Sequence, residues 1–186
     1  MIDLDGVVWL AGQPIPGAAE AVSRLRKAGE QVLFLTNNSS LTIEEYHRRL
    51  GRAGITVEAG EVLTSAQAAA SLLAPGSTAL ACGGPGVWEA LEAQGVAAVA
   101  RGPADAVVVG WDRSFDFDRL AAATTCVLGG ARLVGTNGDP TYPTPDGPLP
   151  GAGALLAAVA CATATTPVVA GKPYEPVAAL LRERLG

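Results

Sequence analysis

Histidine is almost absent: the 186 residues contain one, His47. It sits in "TIEEYHRRL", a polar helical stretch that reads as solvated surface, and this excludes a histidine-based catalytic triad unless the fold carries His47 to a nucleophile. Cysteine is nearly as scarce. Cys82, Cys126 and Cys161 lie in Ala/Val/Gly surroundings without C-x-x-C spacing, so small buried free thiols are expected rather than zinc ligands or a disulfide framework. Long apolar runs are missing too: residues 152–162 are Ala-rich and shorter than the roughly 20 residues a membrane-spanning helix needs. No membrane partner is expected. No basic segment precedes a hydrophobic one at the start, where "LDGVVWL" carries acids, so no signal peptide is read and the expected location is the cytoplasm. Basic residues cluster only at Arg48-Arg49 and in "RLRK" at residues 24–27. With a net charge of -5 and a pI near 4.8, nucleic acid is excluded as an expected partner.

What is present is a globular composition, 49% hydrophobic and 17% charged, long enough for one domain or a domain carrying an inserted smaller one. Apolar runs with β-branched residues alternate with amphipathic stretches, the pattern of an α/β fold with a largely parallel sheet. "IDLDGVVW" reads as a first strand. Ala18, Val22 and Leu25 recur at helical spacing and Gly29 supplies the stop. A buried strand is expected over residues 31–35, then a helix with a capping box at Thr42 and Glu45, closed by Gly54. The alternation repeats through "STALAC", "VWEALEAQG", "ADAVVVG", "FDRLAAATTCVLGG" and "ARLVGTN", which either extend the first sheet or build a second. "GDPTYPTPDGPLPGAG" is too rich in turn formers for regular structure and reads as a loop or a domain crossing. A strand, a turn at Gly171-Lys172-Pro173 and a helix follow.

Three strands end in polar residues: Asp3 and Asp5, then Thr36-Asn37-Asn38, then Gly171-Lys172-Pro173. Each alone is as ordinary as a turn. Together, at strand ends within one α/β pattern, where ligands bind in the crevice outside the strands' carboxyl ends, they suit a phosphate ester and a divalent cation. Asp3 is the candidate nucleophile, forming an acyl phosphate that splits one hydrolysis into two displacements. Asp5, two residues on, gives the proton to the leaving alcohol and later takes one from water, and Gly6 lets the chain turn sharply. Mg²⁺, a hard cation that takes oxygen ligands, has Asp3 and the backbone carbonyl of Asp5 as candidate ligands. Thr36 with the N–H groups of Asn37 and Asn38 is placed to hold phosphate oxygens, and Lys172 to neutralise charge during transfer. "GGPG" at residues 83–86 lacks the remaining features of a dinucleotide or Walker loop and reads as a tight strand-to-helix turn. Asp112, Arg113, Asp116 and Asp118 read as a solvated loop and helix cap.

"DLDGVVW", "LTNNSS" and "AGKP" resemble motifs one, two and three of the haloacid dehalogenase (HAD) superfamily, in the form of its NagD-like and p-nitrophenyl-phosphatase-like sugar phosphatases, subfamily IIA. "VLTSAQAAASLL" and "TNGDPTYPTPDGPLPGAGAL" resemble the stretches into and out of that subgroup's inserted cap. The resemblance implies a Rossmann-like HAD core, residues 1–65 and 151–186, with a C2-type α/β cap at 66–150. It implies Asp3 as nucleophile, Asp5 as acid/base, Thr36 and Asn37 as phosphate ligands and Lys172 as charge stabiliser. Asn137 and Asp139, in the cap-side loop, are candidates equally for substrate contact and for a plain turn. A homodimer through the cap is also implied. The expected activity is hydrolysis of a small phosphate monoester, such as phosphoglycolate, glycerol phosphate, a sugar phosphate or a nucleotide. The alternatives are a phosphotransferase or mutase, and a non-catalytic phosphate-binding module. The family's fourth motif, an acidic "GD-x-x-x-TD" segment, does not precede Gly186, so an incomplete reading frame and weak or no activity of these 186 residues alone are expected.

Overall fold

In the computed structural model, residues 1–10, 12–144 and 146–185 are described. Pro145, within the Pro/Gly-rich stretch, and Gly186, at the end of the expected last segment, lie outside them. The elements in chain order are β1 (Ile2–Asp3), β2 (Trp9–Leu10), β3 (Gln13–Pro14), α1 (Ala18–Lys27), β4 (Phe34–Thr36), α2 (Ile43–Arg52), β5 (Val62–Thr64) and α3 (Ser65–Ala70). Then come β6 (Thr78–Cys82), α4 (Pro85–Ala93), β7 (Ala97–Val99), β8 (Ala106–Val109), α5 (Phe117–Leu128) and β9 (Arg132–Gly135). The last are β10 (Thr141–Thr144), β11 (Gly147–Pro150), α6 (Ala152–Thr163), β12 (Val168–Val169) and α7 (Glu175–Leu185).

Two parallel sheets result, so the later strands build a second sheet rather than extend the first. One has the order β1-β4-β5, the other β12-β9-β8-β6-β7. The larger sheet is covered on both faces, and strand alternation sorts its residues between them. Leu80, Val107, Val109 and Leu133 point to α5 and α6, where Ala123, Leu156 and Val159 meet them. Ala79, Ala81, Val108 and Val134 point the other way, into a cluster with Ala66 of α3, Leu91 of α4 and Val177 of α7. Leu35 and Leu63 of the smaller sheet join that same cluster, so α3 lies where the two sheets meet. The smaller sheet's other face packs Phe34 and Val62 against Val22 of α1 and Tyr46 and Leu50 of α2. The strand Val168–Val169 pairs with β9 of the larger sheet, although it lies in the segment that the sequence reading groups with the core.

Several expectations need correction. The first strand stops at Asp3: Gly6, at φ +83°, turns the chain, and Trp9–Leu10 and Gln13–Pro14 form a separate antiparallel pair, β2–β3. The second strand begins at Phe34 rather than residue 31, because its neighbours β1 and β5 offer pairing partners only from there. The Pro/Gly-rich stretch is not a loop but the antiparallel pair β10–β11, in which Pro143 faces Pro148. An isolated two-stranded ribbon tolerates proline because each strand is an edge. The Thr42 cap forms, with its Oγ1 accepting from Glu45 N at 3.2 Å, but the Glu45 side chain turns to Arg48 and Arg49 instead of back to Thr42. The complete capping box is at Thr64 and Gln67, opening α3. His47 is half-buried, with Nε2 sealed from solvent and without a hydrogen-bond partner, since the α2 face beside it packs inward. Cys82 and Cys126 are buried free thiols, and burial pushes the Cys82 thiol up to about 12. Cys161 is exposed, because α6 turns Leu156, Val159 and Thr163 inward and leaves it outside.

The "GGPG" turn has a packing explanation. Gly86 N donates to Ser40 O at 3.1 Å, and a Cβ on Gly86 would lie 2.7 Å from Ser39 O and closer still to Leu41 O. The glycines let α4 press against the backbone that follows Asn38. Alanine is the better helix former by about 1 kcal/mol, but the oxygens it would meet belong to backbone and cannot swing aside. Gly86→Ala is therefore expected to destabilise the fold by about 1–3 kcal/mol. Chemical denaturation checks this; unchanged or increased stability would contradict the close approach.

Candidate active site

The polar tips of the strands converge on one cavity of about 320 Å³. Asp3, at the end of β1, is half-exposed; its Oδ1 accepts from Leu4 N at 2.8 Å and lies 2.7 Å from Lys172 Nζ. Lys172 follows β12 from the other sheet, so this ion pair links the two. The approach depends on Gly171, where a Cβ would sit 2.6 Å from Thr136 O and 2.7 Å from Asn37 Oδ1. Asn37 then clasps the backbone of Lys172, accepting from its N–H at 2.8 Å through Oδ1 and donating Nδ2 to its carbonyl at 3.1 Å.

Asp5 is more enclosed. Trp9 Nε1 donates to its Oδ1 at 3.1 Å and Thr36 Oγ1 to its Oδ2 at 3.3 Å. Burial raises its pKa above the ordinary carboxylate value; the two hydrogen bonds favour the charged form but do not overcome burial, and the Asp3 charge adds to the rise. A carboxyl so placed holds its proton more readily than an ordinary one, the direction a proton donor needs.

Thr36 itself is fully buried and does not line the cavity, and its Oγ1 also accepts from Asn38 N at 3.1 Å. The hydroxyl and N–H expected to face phosphate are thus turned toward Asp5 and toward each other. The Asn38 side chain lines the cavity, with Oδ1 accepting from Ser40 and Nδ2 donating to the Tyr142 hydroxyl at 3.4 Å. Asn137 is buried and donates Nδ2 to Asn37 O at 2.6 Å, while its Oδ1 accepts from Asp139 N at 3.0 Å. Asp139 is exposed and accepts from Asn37 Nδ2 at 3.0 Å. Both line the cavity, and both also make the turn that the plainer reading expects.

Three further residues belong to the site. Trp9 holds Asp5. Trp111, just past β8, stacks on Tyr142 of β10 with ring centroids 4.4 Å apart, and donates Nε1 to Pro150 O at 2.9 Å. These two rings form part of the cavity wall. Burial, then the Asp5 charge, raises the Tyr142 hydroxyl pKa, and Arg49 opposes that rise. The scarcity of tryptophan, three in the chain, was the available signal for Trp9 and Trp111.

Asp3, Asp5 and Asp139 are the carboxylates lining the cavity, and no group of three His, Cys, Asp or Glu side chains close enough to hold a metal ion occurs among the described residues. The Asp3 carboxylate with the Asp5 backbone carbonyl would suit Mg²⁺, which usually binds one or two carboxylates and completes its shell with water and substrate phosphate.

The family described as haloacid dehalogenase-like hydrolase matches residues 1–97. An acid sugar phosphatase of Staphylococcus saprophyticus is 40% identical over 180 residues, covering 95% of this chain and 69% of that protein. A p-nitrophenyl phosphatase from Archaeoglobus fulgidus superposes with a TM-score of 0.93 at 33% identity, over 100% of this chain and 73% of that one. The glycerol phosphate phosphatase of Mycobacterium tuberculosis, solved in complex with magnesium, superposes with a TM-score of 0.91 at 38% identity, over 99% of this chain and 57% of its own. The chain therefore spans a little over half of one relative and about seven-tenths of the others. It belongs to the haloacid dehalogenase-like hydrolases. Within them its neighbours place it among the NagD-like, p-nitrophenyl-phosphatase-like phosphatases of subfamily IIA.

Proposed function

We propose that this chain carries the reaction centre of a Mg²⁺-dependent hydrolase of small phosphate monoesters, working through an aspartyl phosphate on Asp3. The observation that supports it most is the 2.7 Å approach of Lys172 Nζ to Asp3, beside an Asp5 carboxyl that burial pushes above the ordinary carboxylate value. A carboxylate oxygen of Asp3 attacks phosphorus as the ester oxygen leaves, and Asp5 gives that oxygen its proton. Asp5, now a carboxylate, takes a proton from water as the water attacks phosphorus, which releases phosphate and restores Asp3. Lys172 offsets the charge that grows on the phosphoryl oxygens, with Asn37 fixing its backbone. Asp3 and the carbonyl of Asp5 would hold Mg²⁺, which when bound supplies the positive charge that lets a phosphate approach two carboxylates.

In this reading residues 66–150 act as a cap, contributing Trp111 and Tyr142 to the leaving-group side. A homodimer through that segment and a cytoplasmic location belong to the same reading; no helix among the described residues is long and apolar enough to cross a membrane. The test is release of p-nitrophenol and phosphate from p-nitrophenyl phosphate, expected to vanish on chelation and return with Mg²⁺. Turnover indifferent to chelation would overturn the metal requirement, and absence of phosphate release under any condition would overturn the hydrolase.

A further inference from the structure

Beyond Tyr142 lies a second cavity, about 580 Å³, lined by Trp9, Pro14, Glu45, Arg49, Arg52 and Tyr142 among others. It shares Tyr142 and Pro143 with the catalytic cavity. Trp9 ties the two together from below, since it lines the groove while its Nε1 donates to Asp5. The chain as a whole carries -5, yet the charges here are mainly positive. Arg49 and Arg52 are three residues apart at the end of α2 and so share a helix face. Glu45, one turn earlier, is their nearest carboxylate on that helix, but its two oxygens already accept from Arg49 Nε at 2.9 Å and from Arg48. Arg52 forms no ion pair among the described residues.

Basic residues suit any helix C-terminus, which accounts for arginines at the end of α2. It does not account for a cavity that sets them opposite the β2–β3 pair and the strand β10, next to a reaction centre. Trp9, Pro14 and Pro143 supply apolar surface for a carbon chain, and a guanidinium presents paired donors that match a carboxylate.

We propose that this groove is an anion subsite for the leaving group, so that the preferred substrate is a phosphate monoester whose organic part ends in a carboxylate. The ester phosphate lies against Asp3, the chain crosses Tyr142, and Arg49 and Arg52 take the far anion. The placement of the ester phosphate rests on the hydrolase reading, so the test measures affinity rather than turnover.

An Asp3→Asn variant is titrated calorimetrically, with Mg²⁺ present, with 6-phosphogluconate and with sorbitol 6-phosphate, which differ only in a terminal carboxylate against a hydroxymethyl group. The acid is expected to bind about tenfold tighter or more. Adding Arg52→Gln or Arg49→Gln should cut that preference to about threefold or less, whereas Arg24→Gln, which removes the same charge from α1, should leave it intact. Equal affinities, or a preference that survives both groove substitutions or falls equally with Arg24→Gln, would overturn the subsite. A groove-dependent preference in a protein that hydrolyses no phosphate ester would uphold the subsite and overturn the hydrolase instead.

Discussion

Asp3→Asn is expected to lower kcat by about a thousandfold or more, with the folded state untouched. Asparagine keeps the shape of the side chain and can still accept the Leu4 N–H bond seen at 2.8 Å. What it removes is the anionic oxygen that attacks phosphorus and the partner of Lys172. With the Asp3 side chain 44% exposed, the ion pair contributes about 1 kcal/mol or less to stability. The thermal midpoint should therefore stay nearly constant while turnover disappears. Steady-state kinetics with a calorimetric melt separate the two, and an Asp3→Asn protein with near-normal kcat would remove Asp3 from the nucleophile's role.

Lys172→Met should cost about a hundred- to a thousandfold in kcat/KM. The variant keeps the length and apolar stem of lysine and removes the charge. The backbone at residue 172 is held by Asn37 on both its N–H and its carbonyl, so the turn itself should persist. Lys172→Arg is not expected to rescue activity. The ammonium sits between Asp3 Oδ1 at 2.7 Å and Leu35 O at 3.4 Å, a seat shaped for a compact point charge rather than a planar fork. Activity close to the unsubstituted level in Lys172→Met would show that this pairing only ties the two sheets together.

The signals that proved readable in the sequence were those with a local physical cause. Thr42 and Gly54 bound α2 because a side-chain cap and a left-handed glycine act over a few residues. The apolar run "AVVV" reads as a strand, and it forms one, pairing between β6 and β9. The tips at Asp3 and Asn37 were legible as neighbours because parallel strands of one sheet gather their C-terminal ends; Lys172 meets them from the second sheet, which no local signal in the sequence announces. Tertiary contacts were not legible. Nothing local announces that Trp9 will reach back to Asp5, or that Trp111 will stack on a residue 31 positions later. Thr36 was readable as a residue of the site but not as one facing Asp5 from full burial. Proline disfavours a sheet interior, but β10 and β11 pair only with each other, so the proline-rich stretch can form a ribbon that its turn formers do not announce. His47 and Cys161 misled for one shared reason: the face that a helix buries is chosen by its neighbours, and periodicity in a polar or an all-apolar helix identifies it poorly.

The central claim is a covalent bond between phosphorus and Asp3. A single turnover of a phosphate monoester with Mg²⁺, quenched in acid and mapped by peptide mass spectrometry, is expected to place one phosphoryl group on the N-terminal peptide at Asp3. Product formation with every peptide unmodified throughout the turnover, or with the phosphoryl group on another residue, would contradict it.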